Sequence, residues 1–172
     1  MPPRNAPPAP AQKGNEDVFL AITTIGPWIN NADTKIGLLA AALTVLTGGA
    51  LRQRPRVESL INDGVHLRGG IALATLALCS VAIVVAGVWL FRALRPRLTK
   101  REPSRFAFPN LADADLATLA DADPAAARRE GWVQAQTLAE IVLKKYACFT
   151  RALTAGMVAG AAFAVWLLLV PG

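Results

Sequence analysis

Three stretches of the chain, 36–51, 69–91 and 152–172, contain no charged side chain. That one feature sets the solvent in which the protein folds. An α-helix rises about 1.5 Å per residue, so the second and third stretches reach across a hydrocarbon core of roughly 30 Å. The first covers about 24 Å. The polar run Asn30-Asn31-Ala32-Asp33-Thr34-Lys35 before it carries the helix through the headgroup layer. Helices that are apolar on every side need either a large protein interior or lipid around them. A chain of 172 residues cannot enclose three of them. It reads as an all-α integral membrane protein with three transmembrane helices: span one (36–51), span two (69–91) and span three (152–170).

Outside the spans lie an N-terminal part (1–35), a loop (52–68) and an insert (92–151). An insert of this size forms only a small module, one that leans on the N-terminal part or on neighbouring subunits. The net charge of +6 suggests nucleic acid at first sight, but most of the excess lies beside the spans, where it sets orientation. Arg92, Arg95, Arg97, Lys100 and Arg101 follow span two, and Lys144, Lys145 and Arg151 precede span three. The loop carries Arg52, Arg54, Arg56 and Arg68. The heavier side is the insert, so the insert and the N-terminus are expected in the cytoplasm and the loop outside.

Residues 1–15 read as a disordered, Pro/Ala-rich tail without the apolar core of a signal peptide. Residues 16–35 read as a cytoplasmic helical segment with Val18, Ile22 and Ile25 on one face. Gly26-Pro27 is expected to interrupt it, with a new start near Pro27. Asn62-Asp63-Gly64 is turn chemistry. Arg95-Pro96-Arg97 ends the second helix, and Glu102-Pro103 and Pro109 keep the next stretch irregular. A short acidic helix is expected at 111–122. Pro124 then opens a longer helix that flows into span three, with Trp132, Leu138, Val142, Tyr146 and Phe149 as its apolar stripe. The small cytoplasmic region is thus helical and continuous with spans one and three.

Chemistry concentrates where the chain meets the membrane. Asp33 and Lys35 are two positions apart and point in different directions on a helix, so they cannot easily pair. Glu140, Lys144 and Lys145 lie at comparable height before span three and can supply opposite charges. Two readings stand side by side. In one, Lys35 snorkels to the headgroups and Asp33 simply sits near a helix start. In the other, a polar seam holds two helices in one of two registers. Ala152, Gly156, Gly160 and Ala164 recur every fourth residue in span three, and Gly37 and Ala41 repeat that spacing in span one; such stripes let backbones approach, within a subunit or in a homo-oligomer. Trp89 and Trp166, near span ends, are expected to anchor at the membrane interface.

No span contains Asp, Glu, Lys or Arg, which speaks against a transporter or proton pump. The lone His66 falls in the loop, and Thr44, Thr47, Thr75 and Ser80 have no base beside them. Asp113, Asp115, Asp121 and Asp123 lack the spacing of a calcium loop. Cys79 and Cys148 have no metal-ligand spacing and read as inert packing residues. No enzyme, metal site or resident cofactor is expected.

The segment Trp28-Ile-Asn-Asn-Ala-Asp-Thr-Lys-Ile-Gly-Leu-Leu, the exit Arg95-Pro96-Arg97-Leu98 and the approach Leu138-Ala-Glu-Ile-Val-Leu-Lys-Lys-Tyr146 together resemble the transmembrane effectors of bacterial Pycsar anti-phage systems. The most telling part is Ala32-Asp33-x-Lys35 combined with Lys145-Tyr146. Phe106-Ala-Phe-Pro109 departs from the Phe-Gly pair more frequent in that family. The resemblance implies a partner pyrimidine nucleotide cyclase whose product, a cyclic pyrimidine mononucleotide (cCMP or cUMP), activates the effector. It further implies that the effector compromises the bacterial inner membrane, so that the infected cell dies before the phage spreads. Ligand-binding or gating residues are then expected among Asp33, Lys35, Arg105, Lys144, Lys145 and Tyr146, where a phosphate meets Lys or Arg. The alternative is a non-gated membrane scaffold, such as a plasmid-transfer or envelope accessory protein, that recruits a partner through its insert.

Overall fold

The computed structural model describes residues 13–62, 66–95, 106 and 123–170. Every element among them is an α-helix: α1 (Lys13–Leu51), α2 (Arg54–Asn62), α3 (Leu67–Leu94) and α4 (Pro124–Leu169). Three helical stretches are long and apolar enough to cross a membrane; the stretch containing α1 continues through α2, and the other two are α3 and α4. The acidic helix expected at 111–122 lies outside the described residues, as do residues 1–12 of the expected tail.

Local chemistry explains most of the boundaries. Asp123 caps α4: its Oδ1 accepts from the Ala125 N–H and its Oδ2 from the Ala126 N–H, both at 3.3 Å. Pro124 follows at the first helical position, where its missing N–H costs nothing. Within the connection 52–68, residues Arg54–Asn62 form a helix, and Asp63-Gly64 of the expected turn lies outside the described residues. The chain leaves α1 through a tight bond from the Gln53 N–H to the Ala50 carbonyl at 3.1 Å, and α2 starts at once.

The Gly26-Pro27 step does not break α1, which passes through Pro27 as one helix. Proline removes one backbone bond and crowds the preceding turn. The turn before is tied by the Thr23 and Thr24 hydroxyls, which donate to the Phe19 and Leu20 carbonyls at 2.8 and 2.7 Å.

The chain divides into two compact units: Met1–Asn30 with Pro96–Val142, and Asn31–Arg95 with Leu143–Gly172. In the first, Val18 of α1 and Ala135 of α4 are buried. A Cβ placed on Gly131 would overlap Val18 Cγ1 and touch the Phe106 ring at 3.4 Å. Valine is stiff at χ1 and cannot swing aside cheaply. Gly131→Ala should therefore destabilise this unit by about 1–3 kcal/mol, read as a lower midpoint in denaturant titration of the detergent-solubilised protein. An unchanged midpoint would mean that the two helices are not in contact there.

In the second unit, α1, α3 and α4 pack through small residues. One cluster joins Ile36 and Leu43, Ala86, Leu90 and Ala93, and Cys148 and Ala152; a second joins Cys79 and Ala82 to Ala159 and Ala162. The buried positions Ala72, Cys79, Ala86 and Ala93 recur every seven residues along α3, the period of left-handed helix packing. Large side chains such as Leu38, Val45, Val81, Val84, Met157 and Leu168 face outward instead. Of the most apolar 18-residue stretch in each spanning candidate, only 11 % is buried in the first and 22 % in each of the others. No polar or charged residue is buried among the described residues. An exterior this apolar needs hydrocarbon around it, and the chain is a multi-pass membrane protein.

Candidate functional site

The helical phase of α1 and α4 brings one acid and one base together at the start of spans one and three. On α1, Ala32 and Ile36 are buried and Asp33 lies beside that inward stripe. On α4, Cys148 and Ala152 are buried, and Lys145, one turn earlier, continues their phase. The Lys145 Nζ donates to both carboxylate oxygens of Asp33, at 2.6 and 2.8 Å, across 112 positions of sequence. The Lys145 side chain is 19 % exposed and that of Asp33 is 40 % exposed. The pair thus stands at the rim between packed helices and open surface. There a charge-assisted bond contributes about 1.5 kcal/mol, the low end for such bonds, because water still reaches the carboxylate.

A second contact lies next to the first. The Lys35 Nζ sits 5.7 Å from the centre of the Tyr146 ring, a cation–π distance. The Tyr146 hydroxyl is buried and finds no hydrogen-bond partner among the described residues. Asp33 and Lys35, too close in sequence to pair with each other, therefore each meet a member of the Lys145-Tyr146 dipeptide. Lys144 is exposed, out of phase with the inward stripe of α4. Arg105 lies outside the described residues.

The small-residue stripe divides. Ala152 is fully buried, and a Cβ on Gly156 would meet Leu39 Cδ1 and Leu43 Cδ2 at 3.5 and 3.6 Å, ordinary contact with span one of the same chain. A Cβ on Gly160 or Gly37 would meet nothing within 4 Å, and Gly37, Ala41 and Ala164 are exposed. A four-residue step drifts about 40° around the helix, so a stripe that starts inward at Ala152 has turned outward by Ala164.

Trp166, expected as an interface anchor, is instead fully buried, with its indole N–H unpartnered among the described residues. Its position follows Ala152 and Ala159 at steps of seven, the inward phase, and phase overrides nearness to the span end. Trp89 is half-buried, with the guanidinium carbons of Arg92 and Arg151 at 5.0 and 4.5 Å from its ring. Sequence reasoning used these two arginines only to set orientation and did not bring them together on Trp89. The available signal was their adjacency to the ends of spans two and three. His66 is exposed ahead of α3 and makes no side-chain cap. No group of His, Cys, Asp or Glu among the described residues is arranged to hold a metal.

No curated protein and no solved structure matches the chain. The profile of the family described as Pycsar effector protein domain (PycTM) matches residues 19–171, a stretch that includes all three spans and both halves of the Asp33–Lys145 pair. The chain belongs to the Pycsar effector family.

Proposed function

We propose that the protein is the membrane-acting, non-enzymatic effector of a Pycsar anti-phage system, held quiet by the Asp33–Lys145 pair. It is triggered by a cyclic pyrimidine mononucleotide from a partner cyclase, and its helices then breach the inner membrane so that the infected cell dies before the phage is released. The observation that carries this reading is that the pair ties span one to span three in a member of the effector family. The ligand's phosphodiester is a monoanion that competes with Asp33 for the Lys145 ammonium, with Lys35 close by as a second cation. Once Lys145 is engaged elsewhere, the two spans lose their polar tie. In this reading the N-terminal part and the insert face the cytoplasm, where the cyclase product accumulates, in keeping with the excess of Lys and Arg beside them. The outward small residues Gly37, Ala41 and Ala164 support assembly of several copies in this reading.

The test is co-expression with an active or an inactivated pyrimidine cyclase, with membrane potential followed by a voltage-sensitive dye. Depolarisation is expected only with the active cyclase. Equal depolarisation with both would remove the gating, and none with either would favour the scaffold alternative.

A further inference from the structure

Two arginines gather on one indole at the ends of spans two and three. Arg92 immediately follows the charge-free stretch 69–91 and Arg151 immediately precedes 152–172, so both stand at headgroup depth. Their guanidinium carbons lie 5.0 and 4.5 Å from the Trp89 ring. Each cation–π contact is favourable, and together they hold two like charges against one ring. Neither arginine has a carboxylate partner among the described residues; the ion pairs there join Arg54 to Glu58 and Lys145 to Asp33. Both arginines are exposed and Trp89 is half-buried, so the ring is fixed while the N–H donors stay open to an incoming group. The exposed apolar side chains Val88 and Val85 lie about one and two turns deeper than Arg92, and Leu153 lies just inside Arg151.

We infer that Trp89, Arg92 and Arg151 form a binding site for the phosphodiester of an anionic phospholipid. Guanidinium groups offer planar, paired N–H donors that match phosphate oxygens, and two of them suit one phosphodiester. The lipid's acyl chains then lie along Val85, Val88 and Leu153. A zwitterionic lipid is disfavoured because its own ammonium would be brought up to two cations. Bound phosphate cancels the repulsion between Arg92 and Arg151 and so strengthens the contact between the two spans. This site shares no residue with the Asp33–Lys145 pair and does not depend on a nucleotide trigger.

The experiment uses the full-length protein in a neutral detergent, titrated with phosphatidylglycerol or phosphatidylcholine of the same acyl chains. Lipid retention is read by native mass spectrometry and stability by the unfolding temperature. Phosphatidylglycerol should be retained about ten-fold better and raise the unfolding temperature by several degrees; equal retention of the two lipids would overturn the site. The R92Q/R151Q variant should lose both effects, and a variant that keeps them would also overturn it. Should that protein not fold, W89L gives the same reading, since it removes only the ring that gathers the two cations. R92K/R151K keeps the charge but not the planar donors. Full retention of phosphatidylglycerol by it would reduce the site to general surface charge and overturn the inference, whereas a marked loss supports it. Deacylated glycerophosphoglycerol and cyclic CMP serve as soluble competitors. Displacement of the lipid by either at equal concentration would assign the site to a soluble anion, and failure to displace supports the lipid.

Discussion

Asp33→Asn should make the effector leak in the absence of any cyclase. The substitution removes the charge-assisted bond to Lys145, worth about 1.5 kcal/mol, and each 1.4 kcal/mol shifts a two-state equilibrium about ten-fold. Resting dye-reported permeability should rise by about that factor, while the response to an active cyclase persists. Lys145→Gln should raise the resting leak similarly and also lose the response, because it removes the cation proposed to meet the ligand's phosphate. Reversing both charges, with Asp33→Lys and Lys145→Asp together, restores the tie and should restore quiet cells. An Asp33→Asn protein that neither leaks nor loses its trigger would exclude the pair as a latch. Loss of triggered killing without a raised leak would place the bond in the active state instead.

Trp166→Ala should be the most damaging single truncation within the spans. Trp166 is the largest fully buried side chain among the described residues. In water its loss would combine a transfer penalty with a cavity penalty. In lipid, hydrocarbon solvates apolar groups as well as protein does, so the cavity dominates. The expected cost is about 3 kcal/mol, the low end for such truncations. Unfolding in mixed micelles by SDS titration, followed by far-ultraviolet circular dichroism, measures it. A loss well under 1 kcal/mol would mean that Trp166 is not enclosed by its own chain.

The architecture was legible because composition reports solvent: three charge-free runs specify lipid before any packing is known. The pairing of Asp33 was half legible. Its need for a partner followed from the two-residue offset to Lys35, and Lys144 and Lys145 were both available. Only helical phase separates them, since Lys145 keeps step with Cys148 and Ala152 while Lys144 does not. The same phase accounts for Trp166, whose nearness to a span end pointed the other way. The continuity of α1 through Pro27 was not legible, because local propensity sets a cost of about 3 kcal/mol for an interior proline. The helix nevertheless runs through Pro27 with regular turns on both sides. The contact between Gly131 and Val18 joins residues more than a hundred positions apart, and no local pattern announces it.

An interior rich in alanine has a thermodynamic side. When the spans of such a protein part, no oily surface is bared to water, for acyl chains fill the gap at once. Closure rests on close packing and on the Asp33–Lys145 tie at the rim, with no hydrophobic penalty for parting. In the proposed gating, a signal that alters one rim contact would then act on the whole hydrophobic half of the molecule, which a water-soluble domain with a greasy centre could not allow.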